Sequence, residues 1–423
     1  MLGNTLAASF IWGINTIFLL DAGLSNFEAF TANAFFTAGM VVFEIPTGVV
    51  ADTIGRRVSY LAGTVTLMVS TLLYVVLWQI EGPFWAWALA SILLGLGFTF
   101  FSGAVEAWLV DALDVTGFTG SLEAVFGRGQ IVTGIGMLTG SVLGGFVAQV
   151  TNLGVPFVMR AAVLLIMFGF AFFAMKDVGF SPKKSTGTVH EMKLITSASL
   201  DYGLRVPSVK WLMLSSPFTA GVSVYAFYAL QPYLLELSGD PTAYGIAGIT
   251  AAIVAGAQIV GGIAAPRIRG LFHLRTSALV FAVAISSFTL LLIGLFGNFW
   301  AVIFLVAIWG LLFAAASPIR QSYLNGMIPS QQRATILSFD SMLGSTGGVV
   351  TQPALGRSAD VWGYGTSYLF GAAISSLALP FIYLSRRQKN AADEGVNARD
   401  GNKPIEIPPE AKQITETDQK PVT

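Results

Sequence analysis

Long apolar runs recur along this chain, and they limit its possible folds more than any other feature. Twelve runs, at 4–21, 28–50, 58–79, 84–110, 124–148, 156–175, 209–235, 243–265, 276–296, 299–323, 334–356 and 365–385, are long enough to cross roughly 30 Å of hydrocarbon as helices. A soluble domain could not hide them. Of the 423 residues, 54% are hydrophobic and 11% charged, where a soluble domain carries about a quarter charged residues. Mean hydropathy is +0.71. The apolar excess therefore has to be solvated by lipid.

The first run begins almost at Met1 without a basic lead-in, so it reads as a retained span. The short lead-in also allows a true start upstream. Links between runs are short except 176–208 and the tail from Arg386. The expected fold is an all-α integral membrane protein of twelve transmembrane helices. They divide into two six-helix halves related by pseudo-two-fold symmetry, 1–175 and 209–385, joined by a cytoplasmic linker 176–208. Within the linker, His190–Arg205 could form an amphipathic surface helix. The tail 386–423 is rich in Pro, Lys and acids and reads as disordered. The halves echo each other about 212 residues apart: Leu143-Gly-Gly-Phe-Val-Ala-Gln resembles Leu355-Gly-Arg-Ser-Ala-Asp-Val. Such tandem halves place a substrate site between them near mid-membrane.

Lys and Arg set the orientation. With Met1 inside, the links at 51–58, 176–208 and 266–275 and the tail lie inside and carry most of the positive charge. The outer links carry one basic residue, Arg357. Both termini are then cytoplasmic in a cell membrane, and the chain is expected to act as a monomer.

Several chemistries are excluded by what the chain lacks. There is no cysteine, and the two histidines, His190 and His273, lie in links. Thiol chemistry and a histidine relay inside the membrane are ruled out. No Gly-x-x-x-x-Gly-Lys-Ser/Thr loop exists to bind a nucleotide. A formal net charge of zero gives no reason to expect a nucleic-acid partner. No metal-ligand cluster, cofactor signature or nucleophile–base pair stands out, so an enzyme is not expected.

The densest polar cluster is the link Gly48-Val-Val-Ala-Asp52-Thr-Ile-Gly55-Arg56-Arg57 between spans 2 and 3. Charged groups at a membrane boundary are costly unless paired. The pattern Gly-x-x-x-Asp-x-x-Gly-Arg-Arg resembles the signature of the major facilitator superfamily, and the likeness covers all twelve spans. A second likeness lies in span 5. Gly136-Met-Leu-Thr-Gly140-Ser141-Val-Leu-Gly144-Gly145 is similar to the Gly-x-x-x-Gly-Pro-x-x-Gly-Gly row of proton-driven exporters, with Ser141 in place of proline. Span 4 lacks the arginine such exporters carry and ends Gly103-Ala-Val-Glu106-Ala-Trp108-Leu-Val-Asp111. The matching link of the second half, Gly262 to Gly270, has no acid, and Gly356-Arg-Ser-Ala-Asp360-Val-Trp-Gly363 repeats the spacing after span 11.

The resemblance implies a gating latch of Gly48, Asp52, Gly55, Arg56, Arg57 and Asp111 that closes the cytoplasmic side; a static ion pair is the plainer alternative. It also implies that spans 1, 4, 7 and 10 line the central path. Trp12, Asn15, Phe101, Tyr225, Tyr228, Gln231, Trp309 and Arg320 are therefore the substrate-cavity candidates. Asn15 and Gln231 are the most telling, because a polar group in an apolar span must find a partner. Glu44, Glu106 and Asp340 are the proton-coupling candidates, since desolvation of an intramembrane carboxylate favours its neutral form. Glu106 could instead pair with Arg128, and Arg320 with Asp340. Arg160 could reach Asp21, or face the cavity and favour an anion. Gly136, Gly140, Gly144 and Gly145 form a helix-packing row.

The expected function is secondary active transport of a small organic or amphiphilic compound by alternating access, with protons as partners in coupled export. Proton-coupled import of a metabolite is the alternative, and a non-transporting membrane sensor the more distant one.

Overall fold

The computed structural model describes residues 2–101, 104–120, 122–180, 205–328 and 333–394; the side chains of 122–124, 127 and 333–335 are also outside the described set. The proposed surface helix in the linker falls largely outside these residues, as does the tail beyond 394.

The described chain is helical throughout, with one isolated bridge between Leu274 and Glu394. Its helices are α1 (Leu2–Trp12), α2 (Asn15–Asp21), α3 (Asn26–Thr53), α4 (Arg56–Gln79), α5 (Phe84–Thr99), α6 (Ala104–Val115), α7 (Leu122–Val150) and α8 (Gly154–Ala174), then α9 (Pro207–Ser238), α10 (Tyr244–Gly270), α11 (Arg275–Leu295), α12 (Phe299–Met327), α13 (Arg333–Ser376) and α14 (Ala378–Arg387).

Among the described residues, nine helices are long and apolar enough to cross a bilayer, ten if the bent pair α1 and α2 counts as one span. One of the nine, Ile336–Arg387, has 52 residues. At 1.5 Å per residue that is about 78 Å, more than twice a bilayer core. It turns back at Gly363, whose φ of +82° breaks the helix, and so makes two spans. The helix α9, 32 residues long, also has the length to cross. With these the count reaches twelve, and each predicted span falls on one of them.

Among the described residues, one span is broken where the sequence shows a continuous apolar run. Span 1 bends by 46° between α1 and α2. Span 4 runs from Phe84 to Val115 and comprises α5 and α6, with residues 102–103 outside the described set. Caps mark several ends as local chemistry requires. Ser25 and Glu28 form a reciprocal capping box at the start of α3, Asn298 caps α12, and left-handed Gly239 closes α9.

The apolar core lies in separate clusters. One, mostly in the first half but joined by Leu235, Ala243 and Ala247 of the second, stacks Phe18 on Phe157 at 3.9 Å between ring centroids and packs Tyr74 and Trp87 beside them. Two others lie mostly in the second half, one around Tyr225, Trp309 and Tyr368 that also takes in Phe30 of the first half, and one around Leu212, Tyr323 and Ile336. Residues 1–175 and 207–394 meet along two seams, α3 against α13 and α7 against α10.

Part of the expected tail is placed. α14 continues to Arg387, and a short 3-10 turn at Ala391–Asp393 docks back on α11.

Candidate functional site

The chain alternates direction at each span, so its links gather at two ends. The end carrying Asp52 to Arg57 is called here the motif end, and the opposite one the far end.

At the motif end, Asp52, Arg56 and Asp111 of the signature come together. Asp52 and Arg56, one turn apart, form an ion pair, and Arg56 Nε lies 3.8 Å from Asp111 Oδ2 on α6. One cation thus joins α3, α4 and α6. Gly55 starts α4 with φ +136°, a conformation open mainly to glycine. Gly48 has no neighbour within 4 Å of where a Cβ would stand.

Sequence reasoning missed Asp177. As N-cap of α4, Gly55 has no side chain to receive the first free N–H groups of the helix. Asp177 supplies that acceptor from 120 residues downstream: Arg57 N–H donates to its Oδ1 at 2.8 Å. A carboxylate there also suits the positive end of the helix dipole. A Cβ on Gly55 would lie 2.5 Å from Asp177 Oδ2. The neighbouring residues are stitched in as well. Trp108 Nε1 donates to Lys176 O at 2.8 Å, and Arg57 donates to Phe172 O at 2.6 Å. The only hint in the sequence was an acid directly after span 6.

At the far end, the described hydrogen bonds between the two halves accumulate. Asp360 accepts from the N–H groups of Asn26 and Phe27, each at 2.9 Å, and so caps α3 from the other half. Tyr364 donates its hydroxyl to Asn26. Gln149 Oε1 accepts from Gly245 N–H at 2.9 Å. The sequence signal for Asp360 was the repeated Gly-x-x-x-Asp-x-x-Gly spacing, and both its glycines have work to do: a Cβ on Gly356 would press on Asn26 O at 2.8 Å, and Gly363 makes the turn.

The polar cavity candidates prove to be partnered. Gln231, 2% exposed, spans the break in span 1. Its Nε2 donates to Trp12 O at 2.5 Å and its Oε1 accepts from Thr16 N–H at 3.0 Å. These are backbone groups the break would leave unpaired. Asn15 donates to Asn33 Oδ1 at 3.0 Å. Tyr225 donates to Ser367 at 2.6 Å and lies against Phe30, while Trp309 stacks on Phe313 in the core. Tyr228 is half-buried. Trp12 and Phe101 do line a cavity of about 170 Å³, together with Asn4, Thr5, Phe98 and Arg160.

The acidic candidates separate. Asp340 is buried and forms a two-toothed ion pair with Arg320, whose second nitrogen also reaches Leu212 O at 3.2 Å. Glu44 is half-buried. Glu106 was expected inside span 4 and in a position to meet Arg128. It lies within that span on α6, but its side chain is exposed and has no ion pair among the described residues. Asp21 accepts from Trp78 Nε1 at 2.8 Å and does not meet Arg160, which is turned into the bundle.

The span 5 row packs tightly on both sides. A Cβ on Gly144 would fall on Phe10 O of α1, and one on Gly140 would strike Ser9 Oγ. One on Gly145 would lie 2.8 Å from Gly248 Cα of α10, in the other half.

The sequence profile of the Major Facilitator Superfamily matches residues 1–350 and 218–413. The chain belongs to that superfamily. It is a multi-pass membrane transporter of the alternating-access class, not an enzyme. A protein of Methanocaldococcus jannaschii described as an uncharacterized MFS-type transporter is 22% identical over 386 residues, covering 90% of this chain and 94% of that one. The multidrug resistance protein MdtG of Proteus mirabilis is 26% identical over 61% of this chain and 63% of its own length. In fold, the chain resembles the nucleoside transporter NupG (TM-score 0.73, 12% identity, 90% and 96% of the two chains). It also resembles a D-xylose–proton symporter (TM-score 0.66, 15% identity, 90% and 95%).

Proposed function

We propose that this transporter exports a small amphiphilic organic compound in exchange for protons. The observation that carries the reading is the span 5 glycine row. It matches the row of proton-driven exporters at every glycine, and it packs backbone to backbone with a helix of its own half and a helix of the other at once. Small residues on both faces let α7 slip against α10 when the halves rock. The likeness to a protein named for multidrug resistance supports the same direction.

The motif end is the cytoplasmic end in this reading. Its links carry Lys176, Arg267, Arg269, Arg275, Arg386, Arg387 and Lys389. The structure then corresponds to a carrier sealed outside by Asp360, Tyr364, Gln149 and Gln231. The latch Asp52–Arg56–Asp111 joins helices of the first half, ready to close the inside in the opposite state.

Asp340 is the favoured proton carrier, because it is buried and its charge is held by one cation, Arg320. Protonating Asp340 removes its attraction for Arg320 and frees that guanidinium toward another partner. Glu44 is the second candidate, and the exposed Glu106 the third.

The test uses energised inside-out vesicles with a pH-sensitive dye and a panel of drugs and metabolites. Proton release on adding a compound, abolished in Asp340→Asn, is the expected result. Absence of release with every compound, together with substrate-driven proton entry in right-side-out vesicles, would replace export with import.

A further inference from the structure

Among the described residues, Arg160 is a large cation in the interior of a span that the proposed cycle leaves unused. It is 1% exposed, held on α8 among the largest fully buried side chains. Its guanidinium carries a permanent charge. Among the described residues no carboxylate pairs with it, and its Nε has no hydrogen-bond acceptor. What surrounds it is aromatic. The guanidinium sits 5.6 Å from the centroid of the Phe98 ring. The titratable groups in its neighbourhood are uncharged phenols, Tyr74 and, from the second half of the chain, Tyr228.

A buried, unpaired charge is costly unless something completes its coordination. Here the open side of Arg160 is the cavity of about 170 Å³. Two of its walls, Asn4 and Thr5, offer polar atoms, and Asn4 is already oriented by accepting from Tyr60 Oη at 2.7 Å. The other walls that matter are Trp12, Phe98 and Phe101. A cavity of about 150 Å³ is large enough for a benzene-sized body.

Resting on the transport reading above, we infer that this cavity is the substrate's anion subsite: it takes a monoanionic amphiphile, one carboxylate on Arg160 and an aromatic or short alkyl body against Trp12, Phe98 and Phe101. A guanidinium presents two parallel N–H donors that match a carboxylate. One cation balances one negative charge, so a doubly charged phosphate would remain undercompensated. An inorganic anion would leave the aromatic walls without a partner.

The experiment measures binding to the full-length protein in lipid nanodiscs by calorimetry, without a proton gradient. The probes are two pairs of equal shape, benzoate with benzamide and octanoate with octanamide. Each acid is expected to bind at least about tenfold tighter than its amide, which is ~1.4 kcal/mol. Arg160→Gln removes that preference. Asn4→Asp keeps Arg160 but places a carboxylate in the cavity, and it also removes the preference; this second variant guards against misfolding of the first. Equal binding of acid and amide, binding of none of the four probes, or an undiminished acid preference in Asn4→Asp overturns the inference. Because no gradient is involved, failure of proton-coupled export leaves this result standing. Proton release driven only by neutral or cationic compounds, with no acid preference, removes the anion assignment and leaves export intact.

Discussion

The two halves carry corresponding links at the motif end, and they are built alike in one respect and differently in another. In both, the acid that follows the half's last span returns to cap the start of its third span. Asp177 accepts from Arg57 N–H on α4, and Asp393 accepts from Thr276 N–H on α11 at 2.7 Å and from Thr276 Oγ1 at 2.6 Å. The shared cap binds the end of each half to its middle. The rest diverges. The first link holds a second acid within its own helix end, and Asp52, Arg56 and Asp111 connect three helices. The second link has arginines only: Arg269 donates to Phe272 O and His273 O, and Arg275 to Ala392 O, all backbone carbonyls. Carboxylates can be neutralised or exchanged between partners, whereas backbone carbonyls cannot. The cap is thus common to both halves, and the ion-paired cluster of Asp52, Arg56 and Asp111 is carried by one.

The largest effect that could break this contrast is at glycine. Gly55→Ala meets both a φ of +136° and the Asp177 carboxylate, and should cost about 1–3 kcal/mol. Gly270 has no neighbour within 4 Å and an ordinary backbone, so Gly270→Ala should change stability by less than about 0.5 kcal/mol. Melting temperatures of the two purified variants compare them directly. Equal losses would mean that the first link is no more constrained than the second.

Next in size is the ion-paired cluster itself. Asp52→Asn should slow transport about tenfold at matched expression, within the usual range of coupling between a switch and a distant site, while melting changes little. A normal rate would reduce the cluster to a static ion pair. The smallest effect sharpens the likeness. Asp177→Ala and Asp393→Ala should each lose about 1 kcal/mol of stability, as for a lost helix cap, but only Asp177→Ala should also slow transport. A transport defect in Asp393→Ala as well would make the second link part of the switch.

Much of this architecture was legible in the sequence because lipid imposes a simple rule on apolar length. The signature residues were legible because they are close along the chain. The partners that complete them were not. Asp177 lies 120 residues from Arg57, and Asp360 lies 334 from Asn26; local pattern carries no record of such pairings. The break in span 1 was hidden for another reason. Apolar content is similar on either side of Gly13, so periodicity cannot show that the backbone leaves the helix. Gln231 was found by the rule that a polar group in a span needs a partner, although its partner turned out to be the broken backbone of span 1, where a substrate had been expected. Tyr225 and Trp309 followed the commoner fate of aromatics, which is packing.

The most direct test of the account measures distances at both ends of the molecule together. The chain has no cysteine, so spin labels can be placed without background. One pair, Ile54→Cys with Leu271→Cys, reports the motif end, and another, Val150→Cys with Phe296→Cys, the far end; all four positions are exposed. By pulsed electron resonance in nanodiscs, each pair should show a short and a long population, inversely related between the ends. Asp52→Asn should move the motif end to its long distance and the far end to its short one. Distances that stay single, that lengthen at both ends together, or that ignore Asp52→Asn would contradict a switch held by the first link.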